Sequence, residues 1–201
     1  MNKKINALLI SLVLTFATFA YLTYHHYGLI FGFAQASLCQ ISQTINCDSA
    51  ALSSYSEFLG IPIALFGLAF SFVMFFVFLF IKLEWLDAEK SIQQSLQFLF
   101  SFSVLTSIVL AGISIFKLGV VCPFCFVSYI LSFVNLLLVL SLFKFNMSAF
   151  EIFKVTEHKG FVTSLVMIPF LAWFASSTIQ SSFGYDELRK IKKKKIALWQ
   201  Q

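Results

Sequence analysis

The sequence predicts an all-α membrane protein: a four-helix transmembrane bundle with a fifth transmembrane helix. Three observations carry that prediction. Of 201 residues, 59% are hydrophobic and only 11% are charged, which is not the composition of a soluble domain of this size. The apolar residues, 27 Phe among them, gather in runs that reach or approach the ~20 residues needed to span a bilayer. The charged residues stand between those runs. The net charge of +5 therefore reflects membrane-flanking lysines and one cluster, Arg189-Lys190-Ile191-Lys192-Lys193-Lys194-Lys195, and not a nucleic-acid partner. The sequence has no zinc-finger spacing, phosphate loop or internal repeat.

The first run, residues 7–24, follows Lys3 and Lys4. A signal peptide begins the same way, but the run is long and aromatic and lacks a small-x-small cleavage site, so it reads as a retained helix. His25 and His26 follow, expected as interfacial histidines near a helix end. Residues 27–60 form an outer loop without Lys or Arg, holding Cys39 and Cys47. Residues 49–58 suit a short helix lying over the membrane face. The second span is 61–83, with Pro62 in its first turn and Gly67 permitting close helix contact. A charged loop, 82–94, leads to a third span, 95–116, whose Ser and Thr hydroxyls are expected to bond backbone carbonyls or a neighbouring helix. The connection Lys117-Leu118-Gly119-Val120 is very short. The fourth span, 123–143, opens on Cys122-Pro123-Phe124-Cys125. A polar loop, 144–160, precedes the fifth span, 161–179, which Pro169 is expected to kink.

Lysine placement orients the bundle. With the N-terminus inside, inner segments hold Lys3, Lys4, Lys82, Lys90, Lys144, Lys154 and Lys159, and outer segments before the tail hold only Lys117. Both cysteine pairs then lie outside, where disulfides persist. Five spans put the basic tail outside too, against the lysine rule: either the fifth segment does not cross, or the bias of the first four spans overrides the tail, and five spans are expected.

Cys122 and Cys125 are spaced to close a disulfide across one helical turn or to ligate a metal. Pro123 suits a helix's first position, which puts Cys125 among unpaired N–H groups that favour the reactive thiolate. Closing the loop between Cys39 and Cys47 would stabilise by only roughly 2–3 kcal/mol, a weak reason for a staple. Zinc needs four converging thiolates, and a seven-residue gap in an oxidising compartment works against it. Dithiol–disulfide exchange fits better: an outer pair takes electrons from a soluble partner and passes them to the pair at the membrane boundary. The final acceptor must take two electrons within the bilayer. A quinone fits, held among Phe-rich helices beside Cys125.

The order of these motifs resembles the vitamin K epoxide reductase family. Cys39-x7-Cys47 lies in the first outer loop, followed by Ala51-Leu52-Ser53-Ser54, Gly60-Ile61-Pro62 and Phe66-Gly67. Cys122-Pro123-Phe124-Cys125 opens the fourth span, with Tyr129 one turn further. The resemblance covers about residues 7–143. It implies a four-helix bundle around a quinone, capped by the first outer loop. It divides the chain into a quinone-binding catalytic bundle, residues 1–145 with outer loop 25–60, and residues 146–201 of loop, fifth helix and tail. It implies Cys122 and Cys125 as the redox centre, with Cys125 next to the quinone. Cys39 would meet the partner and Cys47 would exchange with Cys122. Either Ser53 or Ser54 matches the family's loop serine, and Tyr129 a tyrosine that hydrogen-bonds the quinone. The vertebrate members' quinone-binding asparagine has no match; Ile63 stands about there. Bacterial relatives often continue into a thioredoxin-like domain after the fifth span. This chain has no further Cys-x-x-Cys, which implies a separate periplasmic thioredoxin-fold partner.

The expected function is a membrane thiol:quinone oxidoreductase that drives disulfide formation, using ubiquinone or menaquinone. The expected state is a monomer in a bacterial inner membrane, with the cysteines facing the periplasm. Two rivals stand beside it. The unrelated four-helix quinone-linked oxidase of bacterial disulfide formation carries its two cysteine pairs in the reverse order. A non-catalytic scaffold or transporter subunit would use two structural disulfides. Against transport, no ionisable residue lies in the middle of any span.

Overall fold

The first apolar run has no proline and no polar break before Phe31, and it forms one helix, α1, over Asn2–Phe31. At 1.5 Å per residue it is about 45 Å long, more than the hydrocarbon core needs. His25 and His26 therefore sit inside its last turns and not beyond its end, where the sequence placed them. The computed structural model describes residues 2–32, 44–87, 89–143 and 159–183. Cys39, most of the loop 144–160 and the basic tail lie outside the described residues.

A short helix, α2 (Cys47–Leu52), and a 3-10 turn (Ser54–Ser56) lie over the outer end of the bundle, as residues 49–58 led us to expect. They lead into a hairpin, β1 (Glu57–Phe58) and β2 (Ile61–Pro62), paired Glu57 to Pro62 and Phe58 to Ile61. Leu59 and Gly60 both have positive φ, 53° and 81°, which turns the chain within two residues. This corrects the start of the second span. Ile61 and Pro62 belong to the hairpin, and Pro62 is the residue that precedes helix α3 (Ile63–Lys82).

The third span begins earlier than expected, as α4 (Lys90–Ile113), and ends in a π turn, Ser114–Leu118. Gly119 stops it with φ 63°, a left-handed conformation that favours glycine. The hydroxyls of Thr106 and Ser107 back-bond to the carbonyls of Phe102 and Ser103. Helix α5 (Pro123–Leu142) follows, and α6 (Lys159–Phe183) carries Pro169.

Helix α1 is central, packed against α3 and α5; α4 lies on α5, and α6 lies on α3. The main core joins Leu8 and Leu12 of α1 to Met74 and Phe78 of α3, Phe100 of α4 and Val139 of α5. In lipid, burial of such residues does not drive association; close packing and interhelical hydrogen bonds do. Both are present. At Gly67 a Cβ would stand 2.5 Å from the Phe19 ring, so its absence lets α1 and α3 approach. Asn135 donates to the Thr15 hydroxyl at 2.9 Å, and the Lys4 ammonium donates to the Ser141 carbonyl at 2.8 Å. Ile10, Leu14, Leu105, Ile108 and Phe133 are exposed on the helices' outer faces, a surface suited to lipid. Among the described residues, four helices are long and apolar enough to cross a membrane: α1, α3, α4 (extended through the π turn) and α5. The chain is a multi-pass membrane protein. Helix α6 is a fifth long helix laid along this unit.

Candidate redox site

Cys122 has extended backbone, φ −98°, and sits at the N-cap of α5, with Pro123 at the first helical position. Proline costs nothing there and its fixed φ starts the helix. The Cys122 sulfur accepts the Cys125 N–H at 3.2 Å, and the two cysteines are joined as a disulfide with Cα atoms 5.2 Å apart. The sequence predicts the favourable helix-end environment at Cys125. The structure gives the capping role to the Cys122 sulfur, with Cys125 in the first turn behind it. Cys122 is buried, while Cys125 is partly open.

Cys47 reaches this point through a single strand-like contact. The Val121 N–H donates to the Thr44 carbonyl at 2.7 Å, and the Asn46 N–H to the Val121 carbonyl at 3.2 Å. Ile45 and Val121 form a parallel bridge. Asn46 then caps α2, its side-chain oxygen accepting from the N–H groups of Asp48 and Ser49, both at 3.0 Å. The next residue on each side of this contact is a cysteine. Cys47 and Cys122 meet in one buried cluster with Leu22, Ala50, Phe124 and Cys125. Cys47 is itself disulfide-bonded.

The cluster forms one wall of a cavity of about 120 Å³ between α2 and the outer ends of the bundle. Cys47, Cys122 and Cys125 line it, as do Ser53 and Tyr129. Phe19, Ile63, Leu110 and Ile113 supply apolar walls. Ser54 is exposed and is not part of the lining. Ser56 lines the cavity and was not singled out by sequence. The Ser53 hydroxyl donates to the Ala50 carbonyl at 2.8 Å. The Tyr129 hydroxyl has no hydrogen bond among the described residues.

These walls suit a quinone. At about 120 Å³ the space is smaller than the ~150 Å³ cavity that accepts a benzene ring, so a quinone ring would also occupy the open side, and a quinone's carbonyls only accept hydrogen bonds. Tyr129 offers a donor, and apolar side chains offer flat surface. Among the described residues no group of three or more His, Cys, Asp or Glu is placed to hold a metal ion.

Two histidine–carboxylate contacts join the cap, formed by α2 and the hairpin, to α1. His25 Nε2 lies 3.1 Å from an Asp48 oxygen on α2, and His26 Nε2 lies 3.5 Å from a Glu57 oxygen on β1. Adjacent helical residues point about 100° apart, so the two rings reach different elements. Sequence reasoning missed both pairs, because each partner is far along the chain and no local pattern announces it. Helix α6 braces the same hairpin. Gln180 donates to the Gly60 carbonyl at 3.2 Å and to the Ser176 hydroxyl at 2.8 Å, and Ser176 lies 3.1 Å from the Tyr27 hydroxyl. Ala172 packs with Ile61 and Leu65.

Comparison with known proteins bears on this arrangement. Residues 6–140 match the family model described as the Vitamin K epoxide reductase family. No curated protein matches the chain. The matched stretch runs from α1 almost to the end of α5, so it holds all four cysteines and the cavity. Family members are membrane oxidoreductases of thiol–disulfide and quinone chemistry. By this match over most of its length, the chain belongs to the vitamin K epoxide reductase family.

Proposed function

We propose that the protein oxidises a separate thioredoxin-fold protein on the outer face of a bacterial inner membrane and reduces a membrane quinone, thereby driving disulfide formation. The observation that carries this reading is the meeting of Cys47 with Cys122 at a cavity that Cys125 and Tyr129 also line. The partner's thiols reduce the Cys39–Cys47 pair. The Cys47 thiolate then attacks the Cys122 sulfur, the Cys122–Cys125 bond breaks, and Cys125 keeps the electron pair as a thiolate. Cys39 closes on Cys47 and releases Cys122, so the loop pair is again a disulfide and the inner pair a dithiol. A bound quinone, ubiquinone or menaquinone, supplies the two-electron, two-proton sink. Cys125 presents the reducing sulfur from the cavity wall. Tyr129 and Ser53 are the groups that would hold the quinone carbonyls, and the apolar walls keep water from the thiolate.

The orientation rests on the lysines that flank the inner ends of the spans. In it, α6 crosses as a fifth span and the basic tail is outside, near lipid headgroups. The protein is taken to act as a monomer, a reading supported by the cavity's being lined by α1, α2, α4, α5 and Pro62–Ala64 of one chain. Right-side-out membrane vesicles test direction and orientation together. Reduced thioredoxin added outside should be oxidised while membrane quinone is reduced, and solvent extraction of the purified protein should identify the quinone. Oxidation confined to inside-out vesicles, or thiol oxidation without quinone reduction, contradicts the proposal.

A further inference from the structure

The exchange between Cys47 and Cys122 needs a proton acceptor. The attacking species is a thiolate, and an ordinary cysteine with pKa near ~8.5 is mostly thiol at neutral pH. Helix α5 offers its N-terminus to the sulfurs of Cys122 and Cys125, but Cys47 belongs to a different helix. Its own helix, α2, has its first N–H groups engaged by Asn46. The cavity contains one arrangement able to take the proton. His25 is buried and lines the same cavity as Cys47, Cys122 and Cys125. Its Nε2 lies 3.1 Å from the carboxylate of Asp48, the residue next to Cys47. Neither that nitrogen nor the facing oxygen completes a hydrogen bond among the described residues, and both are sealed from water, so each is the polar group nearest to hand for the other. The ring is held on its other side by Tyr21, stacked at 6.0 Å, and Tyr21 packs at 4.4 Å on Phe124, within the Cys-x-x-Cys motif.

We propose that His25, oriented by Asp48, is the proton-handling residue of the thiol exchange between Cys47 and Cys122. This rests on the relay proposed above. A carboxylate can only accept, so Asp48 favours the ring form with its proton on Nε2 and leaves Nδ1 basic. The Cys47 thiol gives its proton to the ring as its sulfur bonds to Cys122 and Cys125 takes the electron pair. When the Cys39 sulfur closes on Cys47, the Cys47–Cys122 bond breaks, the departing Cys122 thiolate takes the proton back from the ring, and the proton that Cys39 gives up goes to the Cys125 thiolate, which leaves the inner pair a dithiol. Protons and electrons balance within the four cysteines and the ring, and no other reactant is needed. The logic is that of a nucleophile, a base and an orienting carboxylate. The other titratable groups around the ring and its cavity are Tyr21 and His26 on α1, the latter beside Glu57 of β1, Tyr55 of the 3-10 turn, and Tyr129 on α5 beyond the cysteines; the lining from α3 and α4 brings none.

The test is the single-turnover rate of quinone reduction after mixing the quinone-loaded protein with excess reduced thioredoxin, measured from pH 5 to 9.5. The natural protein should show a rate that rises through the histidine range, about pH 5–7.5. His25→Gln should be slower by ~10–100-fold at pH 7, lose that limb, and recover above about pH 8.5, where the thiol ionises unaided. Asp48→Asn should keep the limb but move it to lower pH, because the protonated ring loses its counter-charge. A loss in His25→Gln that is equal at every pH means the ring only positions the cap, and overturns the proposal. So does an unchanged rate, a retained limb, or an Asp48→Asn limb that does not move. If His25→Gln does not retain quinone, Asp48→Asn decides alone. If the natural protein passes no electrons from thioredoxin to quinone, the relay itself fails, which is a different result from any of these.

Discussion

Cys122→Ser protein purified with its quinone is expected to be coloured, and Cys125→Ser protein colourless. Cys125 lies in the first turn of α5, on the wall of the cavity. When Cys122 is occupied by Cys47, or replaced by serine, Cys125 has no partner sulfur. Its position at a helix N-terminus favours the thiolate, and a thiolate against a planar electron acceptor gives a broad visible absorbance. The absorbance should fade on acidification, within the ~3.5–7.5 range of helix-terminal cysteines. Cys125→Ser should also lose quinone reduction by ~10³-fold or more, since the electron-donating sulfur is gone. The structure makes the reversed assignment a real competitor. The Cys122 sulfur accepts the Cys125 N–H and lines the same cavity. Colour in Cys125→Ser and not in Cys122→Ser would exchange the two roles. Absence of colour in both, with quinone bound, would remove the cysteine pair from the ring's side.

Replacing Cys47 by Ala is expected to stop thioredoxin-driven turnover, by ~10²-fold or more, while a small dithiol still supports a measurable rate. Cys122 is only 4% exposed, beneath Cys47 and the start of α2, and a protein thiol cannot enter there. A molecule the size of dithiothreitol can enter by the cavity and reach the inner pair directly. Cys39→Ala should behave in the same way, since a relay fails when either of its cysteines is lost. Steady-state rates with both reductants check the division of labour, and equal losses with both would contradict it.

The sequence made the spanning helices legible because bilayer thickness sets a length that apolar runs must meet. Their boundaries moved by only a few residues where proline or glycine fixed an end, as at Pro123 and Gly119. Where no such signal existed the reading slipped. Helix α1 runs on through His25 and His26 because nothing breaks it, and α4 starts at Lys90 in a stretch read as loop. Two-residue strands carry too little alternation to announce the hairpin Glu57–Pro62. The Cys-x-x-Cys was visible from spacing and Pro123 alone. What spacing does not contain is the pairing of Thr44 and Asn46 with Val121, which brings Cys47 to Cys122 across most of the chain. Nor does it contain the pairing of His25 with Asp48, or the contact of Gln180 with Gly60. Spacing also does not show that Ser53 lines the cavity and Ser54 does not.

The central claim is that electrons leave a dithiol through Cys122 and Cys125 and arrive on a quinone held beside them. Its most direct test is an anaerobic single turnover of purified protein loaded with one equivalent of quinone. One equivalent of dithiol should convert one equivalent of quinone to hydroquinone, read from the ultraviolet spectrum, with the protein returning to its disulfide form. The same mixture with Cys125→Ser should leave the quinone oxidised. Stoichiometric reduction by the Cys125→Ser protein, or dithiol consumed by the natural protein with the quinone spectrum unchanged, would contradict the account.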